Sequence, residues 1–308
     1  MLGLRGVSRE EITEILNTAE RFRNVSERQI KKVPTLRGRT VVTFFMENST
    51  RTKMSFDLAA KRLSADTLGF SASSSSTKKG ETLMDTARNI DAMKPDAIII
   101  RHSAAGAPHM LAKEFSWSVL NAGDGINEHP SQALLDMLTM RDHLGSLEGK
   151  TVAIVGDVYH SRVARSNIHG LRTMGAKVVV AGPGTMCPPS MEHLGVEVRH
   201  SIDEVVDDAD VIMMLRIQRE RLQPGMMSTV NEYSRFYGLD LDRLRKARPN
   251  VLVMHPGPIN RGVEMSPEVA DGKQSVILEQ VTNGVAVRMA LLYLLLGGEP
   301  MGGDEDAS

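Results

Sequence analysis

Short runs rich in Val and Ile alternate along this chain with longer segments whose apolar residues recur at helical spacing, and few folds accommodate that alternation. The runs lie at 41–46, 97–100, 152–155, 178–181, 211–215 and 251–254. Thr43 apart, they are apolar throughout instead of alternating with polar residues, the mark of strands covered on both faces. Between them, Phe56, Ala59, Ala60 and Leu63 keep the period of a helix, as do Leu134, Met137, Leu138 and Arg141, the last marking where that stripe ends. Strand then helix, repeated, predicts an α/β fold with two doubly wound parallel-sheet domains and the active site in the cleft between them.

The 308 residues exceed one ordinary core, at roughly 150 residues per domain. The glycine-flanked stretch GSLEG at 145–149 precedes a strand and reads as the hinge. This gives a first domain at 1–144 and a second at 145–280. A final helix at 281–296 is expected to pack back on the first domain. The tail 297–308, GGEPMGGDEDAS, lacks apolar anchors and reads as disordered. Ser8 with Glu11 three residues on forms a capping box that opens the first helix.

Charge narrows the function. Lys and Arg number 37 against 38 Asp and Glu, so no general field draws in nucleic acid or an acidic membrane, and any anion must be held by a local cluster. The single cysteine, Cys187, excludes an internal disulfide and a Cys-based metal cluster, and in its polar, proline-rich setting reads as a loop thiol without a role. The longest apolar run, 289–296, is too short to span a bilayer, and no leader-length apolar segment opens the chain; a cytoplasmic protein is expected.

Chemistry concentrates where predicted strands end. After the first run comes ENSTRTKMSF, a polar turn leading into a helix. Backbone N–H groups of residues 50–52 are open there, Ser49, Thr50 and Thr52 add hydroxyls, and Arg51 adds a planar fork that fits phosphate. Taken alone, a Ser/Thr cap beside a surface Arg is common. SSSSTKKGET places Ser75, Lys78 and Lys79 in a hydrophilic loop, which alone is a solvated linker. Arg101 closes the run IIIR, at the end of a parallel strand where α/β proteins bind ligands. In NEHPSQ, Pro130 opens a helix and leaves His129 at its cap and Gln132 in its first turn.

The run TVAIVG leads into DVYHSRVARS, where a dinucleotide fingerprint would need a second glycine that is absent. A cationic loop in that place argues against NAD or NADP. Arg162, Arg216 and the turn at 255–258 sit at three strand ends and suit a carboxylate-bearing ligand.

Read together, STRT, STKKGET, the Arg101 strand end, HPSQ, HSRV, LRIQRER and HPGPINRG resemble the aspartate and ornithine carbamoyltransferase family over almost the whole chain, in the family's order. The aspartate branch is the closer, since the Cys-containing turn of the ornithine branch is absent. The resemblance implies transfer of a carbamoyl group from carbamoyl phosphate to the amine of L-aspartate, in pyrimidine biosynthesis, with no cofactor and no metal. It implies that Ser49, Thr50, Arg51 and Thr52 hold the phosphate. Thr52, Arg101 and His129 surround the carbonyl oxygen, and Gln132 with the backbone at Gly257 and Pro258 holds the carbamoyl amide. Arg162, Arg216, Gln218 and Lys79 bind the aspartate carboxylates. Ser75 and Lys79 enter from an adjacent subunit, so a homotrimer with shared sites is implied, with room for regulatory chains or a dihydroorotase. Two departures stand out: Gly257 replaces a leucine found in other members, and Glu128 stands where a neutral residue is frequent before His129. Ornithine or another amine as acceptor, and a catalytically dead assembly subunit, are the competing readings.

Overall fold

The computed structural model describes residues 1–71, 81–217 and 229–297. They fold into two compact units, one made of residues 1–3, 10–131 and 282 onward, the other of residues 4–9 and 132–281.

The first unit holds a parallel sheet of β1 (Thr40–Phe45), β2 (Asp66–Ser71), β3 (Ala97–His102) and β4 (Ser118–Asp124), in the order β2-β1-β3-β4. Its helices are α1 (Arg9–Glu27), α2 (Thr50–Arg62), α3 (Leu83–Asp91), α4 (Ala107–Glu114) and the start of α5 (Pro130–Leu144). From β1 the chain goes through α2 to β2 on one side, then through α3 to β3 on the other. Reversal of direction at β1 opens a crevice at the carboxyl ends of β1 and β3. Residues 41–45 of β1 are all buried, as a strand covered on both faces requires. Absent from the sequence reading were β2, a half-exposed edge strand, and β4, which carries Asn121, Gly123 and Asp124 and so lacks an apolar run.

The second unit holds β5 (Thr151–Val155), β6 (Lys177–Ala181), β7 (Glu197–Arg199), β8 (Val211–Met214) and β9 (Leu252–Met254), all parallel, in the order β7-β6-β5-β8-β9. Around it lie α6 (Arg162–Thr173), α7 (Val230–Tyr237), the short α8 (Leu241–Leu244) and α9 (Pro267–Ala270), and the first turn of α10 (Ile277–Leu296). Its core includes Val155, Ile212, Met214, Val253 and Met265. The edge strand β7, only three residues and none fully buried, gave no apolar run to read.

The two compact units part inside α5, and the glycine-flanked loop 145–149 lies within the second of them. From Gln132 onward α5 is bonded into that unit: Asp136 accepts from Asn167 at 2.8 Å and from Gln280 at 2.7 Å. Gly170 of α6 lies so near α5 that an added Cβ would stand 2.7 Å from Met137 Cε. Such contacts between distant residues leave no break in composition. Likewise α10 begins four residues before the expected 281, and from Thr282 it belongs to the first unit. There Arg288 donates to Ser55 Oγ at 2.8 Å and stacks its guanidinium over the Phe56 ring at 5.0 Å, bracing α2. Of the expected tail, residues 298–308 lie outside the described residues.

Cys187 sits in a loop but is fully buried, and burial pushes its thiol up to about 12. The expected result is that a thiol-alkylating reagent at pH 8 leaves the native protein unmodified and labels one site after denaturation, because only the thiolate reacts. Mass spectrometry reads both; labelling of the native protein within minutes contradicts the buried setting. Among the described residues no helix is long and apolar enough to cross a membrane, and no group of three or more His, Cys, Asp or Glu could hold a metal ion.

Candidate active site

In the first unit, β1 passes through residues 46–48 to Ser49, the N-cap of α2. Ser49 makes no side-chain cap hydrogen bond, whereas Thr82, Ser161, Thr229, Asp240 and Ser266 each accept from the backbone N–H three residues on. Its hydroxyl therefore leaves the first N–H groups of α2 to another acceptor, where the helix dipole adds about half a positive charge. Thr50 and Arg51 are exposed in that first turn and Thr52 is half-buried.

Arg101 stands beside this turn because β1 and β3 pair in register at Phe45 and Arg101, and Met46 N–H donates to the Arg101 carbonyl at 2.9 Å. Two anchors hold its guanidinium: Nη1 donates to Ala122 O at 3.2 Å and Nη2 to Glu47 Oε1 at 3.3 Å. Its neighbour strand β4 ends on Asp124, fully buried, which accepts from Gly106 N–H at 2.7 Å, Asn121 Nδ2 at 2.7 Å and Glu128 N–H at 3.1 Å. That knot fixes where residue 128 lies and so delivers His129, buried, to the start of α5. Glu128 faces the other end of the chain: its carboxylate occupies the space that a Cβ on Gly3 would need. A glutamate there is explained by this packing against a glycine backbone.

The second unit repeats the logic. Its strand order reverses between β5 and β8, so ligands are expected at their carboxyl ends. Gly156 ends β5 at φ +130°, and a Cβ there would stand 3.1 Å from the Tyr233 hydroxyl. No glycine follows at dinucleotide spacing; instead His160 Nδ1 meets Asp157 Oδ1 at 2.8 Å and Ser161 caps α6. Arg162, the first residue of α6, is buried, and Arg216 is half-buried two residues past β8. The structure thus sets these two arginines behind adjacent strands.

Glu264 laces the neighbouring loops together. Its carboxylate accepts from Ile217 N–H at 2.8 Å, from Asn260 N–H at 2.7 Å and from Asn260 Nδ2 at 2.6 Å. The first donor adjoins Arg216, and the others belong to the loop that carries His255, Gly257 and Pro258. In that loop Gly257, at φ +64°, donates its N–H to His255 Nδ1 at 2.8 Å, and the Gly257–Pro258 peptide is cis. Burial holds the Glu264 carboxyl above the usual glutamate range, although the hydrogen bonds from Ile217 and Asn260 pull it down. A raised folded pKa means that its stabilising effect is full below the ordinary glutamate value and declines as pH rises through the folded one. Glu264→Gln, which turns an amide donor toward backbone donors, is expected to lower stability by about 2 kcal/mol. The gap from wild type should narrow in urea melts as pH rises above the ordinary glutamate value; a gap that widens contradicts the assigned direction.

Gln132 is half-buried, and its Nε2 donates to Asp136 Oδ1 at 3.0 Å. Ser75, Lys79 and Gln218 lie outside the described residues. Sequence reasoning passed over Glu47, Asp124, Asp136 and Glu264, the carboxylates that hold the named residues in place. For Asp136 a signal existed, since it lies four residues from Gln132 on one helix face.

Comparison with known proteins gives the family. The family model for the aspartate/ornithine carbamoyltransferase carbamoyl-P binding domain matches residues 1–142, and that for the Asp/Orn binding domain matches residues 148–295. The aspartate carbamoyltransferase catalytic subunit of Syntrophus aciditrophicus is 64% identical over 297 residues, covering 96% of this chain and 97% of that one. That of Geobacter sulfurreducens is 61% identical over 300 residues, covering 97% and 96%. Among solved structures, aspartate transcarbamoylase from Trypanosoma cruzi in complex with N-(phosphonacetyl)-L-aspartic acid is 30% identical, with a TM-score of 0.85 over 95% of this chain and 94% of that one. Ornithine carbamoyltransferase from Pyrococcus furiosus gives the same identity and TM-score over 97% of each chain. By the two models that match residues 1–142 and 148–295, the chain belongs to the aspartate/ornithine carbamoyltransferase family.

Proposed function

We propose that this chain transfers the carbamoyl group of carbamoyl phosphate to the amine of L-aspartate, giving N-carbamoyl-L-aspartate and phosphate, the committed step of de novo pyrimidine biosynthesis. The observation that carries the choice of acceptor is the pair Arg162 and Arg216 behind the adjacent strands β5 and β8. Two guanidiniums suit two carboxylates, whereas ornithine would need an acid for its second amine. On the donor side, Ser49, Thr50, Arg51 and Thr52 hold the phosphate on the first turn of α2. Gln132 with the backbone of Gly257 and Pro258 holds the carbamoyl amide, and Lys79 and Gln218 complete the aspartate site.

In the reaction the aspartate nitrogen attacks the carbamoyl carbon, the bond from that carbon to the phosphate oxygen breaks, and the amine proton leaves with phosphate. Charge grows on the carbonyl oxygen, and Thr52, Arg101 and His129 are donors preorganised for it. Ser75 and Lys79 come from a neighbouring subunit, so the smallest active unit is a homotrimer, acting in the cytoplasm. Labelled carbamoyl phosphate offered with each acceptor in turn tests the reading: turnover with aspartate and none with ornithine is expected. Turnover with ornithine alone overturns it.

A further inference from the structure

Asp136, fully buried on α5, lies one helical turn beyond Gln132. Besides the Gln132 amide, its carboxylate receives Gln280 Nε2 on the same Oδ1 at 2.7 Å and Asn167 Nδ2 on Oδ2 at 2.8 Å. The polarity of this cluster is set by a backbone group. Gln280 Oε1 accepts from His255 N–H at 3.0 Å, which requires its oxygen, so the end that meets Asp136 is its NH2. Asp136 Oδ1 is therefore an acceptor, and the end of Gln132 that meets the same oxygen must also be NH2. That leaves the Gln132 oxygen as the end available to a ligand.

We propose that Asp136 is a positioning residue that fixes which end of the Gln132 carboxamide meets the transferred group, and thereby selects carbamoyl phosphate over its methyl isostere, acetyl phosphate. The inference rests on the functional reading above, in which Gln132 holds the carbamoyl amide. A carbamoyl NH2 donates and an acetyl CH3 does not, while the two donors share their size, charge and leaving group. An oxygen held toward the ligand rewards only the former, whereas a carboxamide free to turn over can present NH2, which repels another donor and tolerates a methyl. Through Gln280 and His255 N–H the same carboxylate oxygen also steadies the turn bearing Gly257 and Pro258, the other groups proposed to accept from the carbamoyl amide. Transfer from acetyl phosphate is balanced in the same way: the aspartate nitrogen bonds to the acetyl carbon, the carbon–oxygen bond to phosphate breaks, and N-acetyl-L-aspartate and phosphate result.

The test measures kcat/KM for carbamoyl phosphate and for acetyl phosphate, with aspartate as acceptor, in wild type and in Gln132→Ala, Asp136→Ala and Asp136→Asn. Asp136→Ala is expected to lower the preference for carbamoyl phosphate about tenfold or more, with a much smaller effect on acetyl phosphate. Asp136→Asn should restore most of the preference. Its oxygen can still accept from Gln132 and Gln280, while the new amide meets Asn167 Nδ2, which the Val163 carbonyl holds as a donor at 3.1 Å, so the recovery stops short of wild type. Should the alanine variant not fold, Asp136→Ser is measured in its place, with the same expected loss of preference. Equal losses on both substrates, or a preference kept in Asp136→Ala while Gln132→Ala loses it, overturn the inference and leave the functional reading intact. A preference kept in Gln132→Ala removes both the role of Gln132 and the inference. Wild type without carbamoyl transfer to aspartate sinks the functional reading itself and the inference with it.

Discussion

Arg51→Ala is expected to lower kcat/KM for carbamoyl phosphate by about a thousandfold, the loss of two charge-assisted hydrogen bonds to phosphate. Stability should barely change. Arg51 is exposed on the first turn of α2, and the face that anchors that helix is buried elsewhere, through Phe56, Ala59 and Ala60. The backbone N–H groups at the helix start survive the substitution, so residual anion binding remains and the loss stays partial. Arg51→Lys should recover only a small part of the rate, because a point charge replaces a planar fork. Steady-state kinetics with a thermal melt on each variant checks both halves; an unchanged rate in a folded Arg51→Ala protein removes phosphate binding from this turn.

Arg101→Ala should cost about 100- to 1,000-fold, the range for deleting one donor to a developing oxyanion. The partition between constants should differ from that of Arg51. A donor that acts on charge appearing in the transition state lowers kcat with little change in KM, whereas a phosphate ligand contributes to binding as well. Arg101 is also structural, since its guanidinium ties Glu47 to Ala122, and its removal is expected to cost about 1 to 2 kcal/mol of stability. A variant in which KM alone rises would make Arg101 a binding group and take it out of the oxyanion role.

The legible parts of the fold were those written in local apolar pattern. The Val/Ile runs around β1, β3, β5, β6, β8 and β9 need both faces covered, and that need is visible residue by residue. Edge strands escape such a reading: β2 is half-exposed and β7 spans three residues. So does β4, whose carboxyl end is built from Asn121 and Asp124 for hydrogen bonding instead of burial. The place where one unit gives way to the other depends on Asp136 reaching Asn167 and Gln280, residues 31 and 144 positions away. No turn residue announces such a contact.

For the candidate site, groups that would touch a ligand were nameable because strand ends and helix starts position them by rule. The carboxylates behind them were not. Glu264 reads as an ordinary charged residue in a loop, and only the fold shows Ile217 and Asn260 donating to it. Cys187 shows the opposite error, since its polar neighbours gave no hint that it is buried.

If two sets of cations serve two anions, calorimetric titration of a single molecule carrying one phosphonate and two carboxylates reads both at once. The wild-type protein should bind this compound far more tightly than either half alone, and Arg51→Ala and Arg216→Ala should each weaken it by about a hundredfold or more. Affinity equal to that of the phosphonate fragment, unmoved by Arg216→Ala, would mean that the protein has no site for the second anion.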